Sequence, residues 1–409
     1  MRLPLAATVA AALGLAAASP ALADTLKVPS EAYPTIQSAV DAASDGDTVS
    51  VAPGTYDEIV MVMDKTNLVI RGRARPVLSG PGFAFTVTGG SGVTITGFDI
   101  AGGGGGVSAS MASGVTVSKV RVAAPSTLAF EFLQCAGAVL TRCEVVGSLA
   151  VAVQDTTSTG LRIEKCRFLD STGDVVRVSP SAGPTNGSTG AVVSKNLIEG
   201  GTSGIRLGGD GSLIEKNRIT VTVNGIVLDG ATSSTGTIVS KNRIFNSGGA
   251  DGIQVNEDGI TIQGNALTGG GIFVAGDDEF VDRNVVRVSA AYGIEASGSN
   301  LVLTRNQVLG ATGDGISVAG GAAVVSGNKV VGVDGHGIVI DGLSPNAQVL
   351  GNRVTASDGY GILVLDTPVT VTGNRASGNG QADYGDSNAE GDNTLTGNRF
   401  GTLDFDVVF

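Results

Sequence analysis

Residues 216–255 read KNRITVTVNGIVLDGATSSTGTIVSKNRIFNSGGADGIQV, and the fold is decided there. The tetrapeptide Lys-Asn-Arg-Ile occurs twice, around Asn217 and Asn242, and each copy is followed by a Gly-Ile pair, at Gly225 and Gly252. Working outward, the asparagine returns at Asn196, Asn265, Asn284, Asn306, Asn328, Asn352, Asn374 and Asn398, at intervals of 19 to 25 residues. Two positions after nearly every one stands an apolar residue, from Ile198 and Ile219 to Val354 and Phe400. Gly-Ile recurs between them at Gly204, Gly271, Gly293, Gly315, Gly337 and Gly361. The runs between are short, β-branched and punctuated by Gly, Asn and Asp, with no helical spacing. A repeat of this length is too short for a propeller blade and suits one rung of a parallel β-solenoid.

At a tight bend an inward asparagine satisfies free backbone groups and meets the next asparagine above. The glycine of each Gly-Ile pair is expected at positive φ, with the isoleucine opening an inward-facing strand. Upstream the ladder position is occupied by Phe98, Val120, Cys143 and Cys166, so the ladder starts apolar and turns to asparagine at Asn196. Cys143 and Cys166 then sit one coil apart, ~5 Å between Cα atoms and within disulfide reach. Burial as small hydrophobes is the favoured reading for both and for Cys135.

Residues 1–23 carry Arg2, an apolar stretch and Ala21-Leu22-Ala23, the pattern of an export leader cleaved before Asp24. A secreted or periplasmic, soluble protein is expected, with no membrane span. Residues 24–409 form one domain of roughly fifteen coils, a rod of roughly 70 Å at ~4.8 Å per coil. With 63 glycines and no tryptophan, the core must be filled by small and branched aliphatics. A solenoid needs covered ends. The front cap (27–56) places Pro34 near the start of a short helix carrying Ile36, Ala39, Val40 and Ala43, with Gly46 past its end, then a strand Thr48–Ala52. The tail, 399–409, closes the back. The segment 180–190, PSAGPTNGSTG, is an insertion and a surface loop.

The stretch TIQSAVDAASDGDTVSVAPGTYDE resembles the entry of right-handed parallel β-helix proteins of the pectin-lyase-like superfamily, and the later repeats resemble the same group over residues 27–400. The resemblance implies an all-β, right-handed, single-stranded parallel β-helix. It is nearly silent on activity, since the superfamily holds lyases, hydrolases, esterases, epimerases and non-enzymatic members. It also implies a substrate cleft at the bend before each Gly-Ile strand. That column reads Ser203, Asn224, Asp251, Gly270, Tyr292, Asp314, His336, Tyr360. The strand's outward face adds Glu295, Ser317 and Asp341.

Asp314, His336 and Glu295 are the candidate acid–base groups for work on a glycosidic bond. Tyr292 and Tyr360 are candidates for stacking on sugar rings, with Asp251 and Asp341 as further substrate contacts. The sequence DGHGIVI resembles the Gly-His-Gly motif of polygalacturonases, but that family's paired Asp is Gly313-Asp314 here and no Arg-x-Lys follows. The motifs of pectin methylesterases, of one pectate lyase family and of alginate epimerases are absent. GDGI and GHGI equally serve as bends of β-helix repeats, and outward Val227, Phe273, Val339 and Leu363 speak against a polar groove.

The formal net charge is −12, yet cations flank the asparagines: Lys195, Lys216, Lys241, Arg283 and Arg305 before them, Arg218, Arg243, Lys329, Arg353, Arg375 and Arg399 after. Such a stripe attracts anions, an acidic polysaccharide among them, or keeps an edge solvated. Asp229, Glu257, Asp277 and Asp278 form an acidic column suited to Ca²⁺ or to turn capping. One histidine and three cysteines build no usual zinc or haem site, and no nucleic-acid partner is indicated. Two function classes remain. One is a β-helix that binds polysaccharide or a surface polymer along its faces. The other is a lyase, hydrolase or epimerase acting on an acidic polysaccharide.

Overall fold

The computed structural model describes residues 23–179, 188–230, 236–342, 344–366, 368–388 and 392–405. Nearly all of the expected leader, residues 180–187 of the insertion and residues 406–409 of the tail lie outside the described residues.

Three parallel sheets of 17, 16 and 16 strands wind into a right-handed solenoid of about sixteen turns. We call them sheets I, II and III in the order in which each coil visits them. One coil contributes Leu213–Glu215 to sheet I, Arg218–Val221 to sheet II and Asn224–Leu228 to sheet III. Strands pair in parallel with their counterparts one coil away. Ile219 thus faces Ile198 on one side and Ile244 on the other. The inward residues of all three sheets, including Ile205, Ile226, Ile294 and Ile316, form one continuous apolar core.

The asparagines occupy the bend from sheet I to sheet II, and all but the half-buried Asn398 are buried there, Asn284, Asn306 and Asn374 completely. From Asn217 on, each Oδ1 accepts two hydrogen bonds from the asparagine of the preceding coil. Asn284 Oδ1 takes the Asn265 backbone N–H at 2.9 Å and its Nδ2 at 3.0 Å. Each Nδ2 also donates to a sheet I carbonyl, in this case Ile262 at 2.8 Å. The pattern begins with Asn196 Oδ1 accepting from the Cys166 N–H and ends at Asn398. The ladder positions upstream, Phe98, Val120, Cys143 and Cys166, are buried as expected, and all three cysteines are free thiols.

The Gly-Ile glycines depart from expectation, because none of them has positive φ. Space demands them instead: a Cβ at Gly204 would stand 2.6 Å from Ile219 Cγ2 and 2.7 Å from the Gly225 carbonyl oxygen. Positive φ falls on the residue before each ladder position. Gly97, Lys119, Arg142, Lys165, Lys195 and their successors to Gly397 all have φ between 52° and 81°.

A second, irregular ladder went unread in the sequence. At the bend from sheet III back to sheet I, Ser158 Oγ accepts the Cys135 N–H at 3.0 Å. Ser188 then accepts from Ser158, Ser212 from Ala191 and Thr237 from Ser212. Glu279 does the same for Ile260 at 3.1 Å. Burial pushes its carboxyl up to about 8 against that backbone bond, and the charges of Asp258 and Glu257 add to the rise.

At the front, the helix is Ile36–Ala42, capped by Thr35 in a reciprocal pair with Ser38, with Pro34 just before the cap. The strand that follows is Thr48–Val51, and Thr55 already belongs to the next one. At the back, Arg399–Phe400 and Leu403–Asp404 are the last rungs of sheets II and III. Tyr384 is fully buried and stacks on Phe400 at 5.2 Å, with Phe405 edge-on at 6.0 Å.

Replacing Asn284 by Ala strips acceptors and a donor from buried groups on two coils, and should cost ~2–4 kcal/mol in denaturant unfolding. An unchanged midpoint would mean that the ladder does not hold the bend. Glu279 keeps its proton in the folded chain and releases it in the unfolded one. Its contribution to stability is therefore full below its unfolded value of about 4.5 and is lost as pH rises through 8. Melting of Glu279→Gln should decline less than wild type over that range.

Candidate functional site

The bend from sheet II to sheet III carries the column read from the sequence, and the outward face of sheet III lies beside it. Along that face the register runs Gln254, Phe273, Glu295, Ser317, Val339, Leu363. The downstream end of this strip is apolar and filled. Val339, Tyr360, Leu363 and Ala382 form a small buried cluster outside the main core.

In that end the expected acid–base pair is engaged with backbone. Asp314 Oδ1 accepts the His336 backbone N–H at 2.7 Å. His336 Nδ1 in turn accepts the Tyr360 backbone N–H at 2.9 Å, which places the ring proton on Nε2. Tyr360 is 9% exposed, stacks on the His336 ring at 5.5 Å and donates its hydroxyl to Asp404 at 2.8 Å. It offers no open face to a sugar. Asp341 lies one residue past the strand Ile338–Ile340 and accepts the Gly342 N–H at 2.6 Å.

The upstream end differs. Tyr292 is 41% exposed and Phe273 is half-buried, next to Glu295. Burial raises the Asp251 carboxyl to about 6, and the charge of Glu295 adds to the rise. Glu295 is itself raised, first by burial and then by Asp314. The three carboxylates therefore share one field, flanked by two aromatic rings.

Four coils back, the same face holds a charged array that sequence reading missed. Arg177 pairs with Asp174 at 2.6 Å, Arg206 with Asp174 at 3.3 Å, and Arg206 also with Asp229. Burial works against the charged form of Asp174, but hydrogen bonds from Arg177 and Ser203 and the two arginine charges outweigh it and hold the carboxyl low. The signal was present: Arg206 follows Ile205 directly, and strand alternation puts it outward. Further back, Ser108 donates to Glu131 on the same face at 2.8 Å, with Gln154 in the next rung.

The acidic column does not converge on a metal position. Asp229 is held by Arg206, and Glu257 accepts the Gly230 N–H. Asp277 accepts the Ser299 N–H at 2.6 Å and Asp278 accepts from Asn300 Nδ2 at 2.9 Å. Among the described residues no three Asp, Glu, His or Cys side chains come together so as to hold a metal ion. In the fold Glu257 and Asp277 accept from backbone N–H groups, Asp278 from a side-chain amide, and Asp229 pairs with Arg206. No helix among the described residues is long and apolar enough to cross a membrane.

Comparisons with known proteins address the architecture. No curated protein matches the sequence. Among solved structures, the chain is similar to tailspike protein gp49 of Acinetobacter baumannii bacteriophage Fri1, a capsular polysaccharide depolymerase. Identity is 11%, with 71% of this chain and 62% of that one covered, at a TM-score of 0.51. It is also similar to the tailspike of E. coli bacteriophage HK620 in complex with a hexasaccharide, at 12% identity, coverage of 90% and 73%, and a TM-score of 0.50. Tailspike protein 3 of bacteriophage CBA120 shows 14% identity and a TM-score of 0.48; 89% of this chain is covered, but it spans only 58% of that tailspike. The family model described as "Right handed beta helix region" matches residues 83–244 and 251–400. That pattern runs over most of the solenoid built around the asparagine ladder, and the protein is accordingly a member of the right-handed β-helix family.

Proposed function

We propose that this is an exported β-helix protein that binds polysaccharide along the outward face of sheet III. The observation that carries the reading is the division of labour on that face. Asp314 and His336 serve the backbone, whereas the rungs from Glu131 to Ser317 present mostly polar side chains, interrupted by buried Val227 and joined by the two accessible rings of Phe273 and Tyr292. Polar rungs with interspersed aromatic faces suit a glycan, whose hydroxyls need hydrogen bonds and whose ring faces are apolar. The solenoid shared with a capsular polysaccharide depolymerase and with a tailspike bound to a hexasaccharide supports a glycan partner.

One observation favours a second reading, an enzyme acting on a glycosidic or uronate centre. Asp251, raised to about 6, stands in the field of Glu295, which is the arrangement an acid and a base need. In that reading Asp251 protonates the leaving oxygen and Glu295 takes the proton or attacks. His336 has no part in it.

Incubation with a polysaccharide panel, with binding, reducing ends and unsaturated products all followed, separates the two. The binding reading expects association without products, weakened about tenfold by Tyr292→Ala through loss of a ring contact. Failure to bind any glycan refutes it. Products that vanish in Glu295→Gln would replace it by the enzyme reading. Activity should then fall as pH rises through about 6, because the protonated form of Asp251 is the working one.

A further inference from the structure

The edge between sheets I and II carries a feature that neither face explains. The residue before each ladder position has positive φ in fourteen coils, a conformation that suits glycine, and glycine occupies it at Gly97, Gly264, Gly327, Gly351, Gly373 and Gly397. In the other eight it is Lys or Arg, six of them on consecutive coils from Lys119 to Lys241. All eight are exposed. The fold does not ask for a side chain there: at Gly351, Gly373 and Gly397 an added Cβ would find no atom within 4 Å. A long cation is thus kept where the backbone disfavours it and, at Lys119, Arg142 and Lys165, with like charges on adjacent coils, whereas Lys216 pairs with Glu215 and both Arg283 and Arg305 pair with Asp282.

Over the first of these coils the cations line a shallow groove of about 420 Å³. Arg75, Lys119, Arg121, Arg142, Lys165 and Arg167 surround it, with Glu144 as the only carboxylate in its wall. Glu144 holds Arg121 and Arg167, each at 3.0 Å, and Asp99 holds Arg75. Lys119, Arg142 and Lys165 make no ion pair among the described residues and stand on successive coils, ~4.8 Å apart. That spacing is comparable to the advance of one sugar unit. No aromatic side chain lines the groove, so it lacks the stacking platform on which single-stranded nucleic acids are held.

We propose that this groove binds an acidic polysaccharide, with sugar carboxylates taken by Lys119, Arg142 and Lys165 on successive coils, at a surface separate from the outward face of sheet III. The inference shares with the proposed function only the class of polymer. The cations supply a field that survives the acidic net charge of the whole chain because they are clustered on one edge.

The test is the triple variant Lys119→Gly, Arg142→Gly, Lys165→Gly. Glycine already occupies this position in other coils, so the variant should melt no lower than wild type. Polygalacturonate, its fully methyl-esterified neutral form and a single-stranded oligonucleotide are titrated onto both proteins at low salt. Polygalacturonate alone is repeated at about 1 M salt, where the screening length is ~3 Å. The proposal expects wild type to bind polygalacturonate in a salt-sensitive way and the triple variant to bind it at least about tenfold more weakly. Equal polygalacturonate affinity in the two proteins overturns it, as does an oligonucleotide that binds wild type more tightly than polygalacturonate does. Neutral glycan retained by the triple variant but weakened by Tyr292→Ala would leave the sheet III reading standing even if the groove proposal fell.

Discussion

A chain that turns a corner every few residues leaves backbone N–H and C=O groups facing an apolar interior, and each must be answered. At the bend from sheet I to sheet II the answer is the carboxamide of asparagine. It accepts twice from the coil before it and donates to a sheet I carbonyl. Because one end of the amide accepts and the other donates, identical residues stack without limit. Aligned asparagines fix the register of neighbouring strands, and with it the columns of side chains that face outward.

The same need is met at the bend that carries Asp314 and His336. His336 and Asp314 sit at a bend with free N–H groups, and their acceptor atoms are used there. In a solenoid a polar side chain in a turn has a structural employment close at hand. A short motif such as Gly-His-Gly therefore carries little information about chemistry. Asp251 and Glu295 differ, since burial raises both carboxyls, with the charge of Glu295 adding at Asp251 and that of Asp314 adding at Glu295. Raised acids beside the exposed ring of Tyr292 and the half-buried ring of Phe273 set this stretch of sheet III apart from the apolar patch around Tyr360.

Charge is distributed by face rather than spread evenly. The chain is acidic overall, yet the edge beside the ladder is basic over many coils. Inward asparagines force their neighbours outward, so any charge next to them accumulates in a line. In the array of Arg177, Arg206, Asp174 and Asp229 opposite signs alternate and neutralise one another. At Lys119, Arg142 and Lys165 they do not, and the difference lies in how many carboxylates the adjacent coils contribute.

The repeat, the sheet-forming runs, the inward asparagines and the apolar start of the ladder are legible in the residues themselves, because a period of about 22 residues leaves few architectures open. The sequence also placed Asp251, Tyr292 and Glu295 along sheet III and the bend that leads into it. Three-dimensional packing alone revealed which side chains already have partners: an acceptor atom each of Asp314 and His336, the hydroxyl of Tyr360, and Asp229, Asp277 and Asp278 of the acidic column. It alone showed that the Gly-Ile glycines answer to the crowding of a sheet II side chain and the next coil's carbonyl rather than to positive φ, and that positive φ falls on the residue before each ladder position, a cation in eight coils. The Ser and Thr ladder stayed hidden because the bend from sheet III to sheet I varies in length, so its members keep no fixed interval. Spacing along the chain reports which residues share a column. Only the packing of one coil on the next reports what each of them touches.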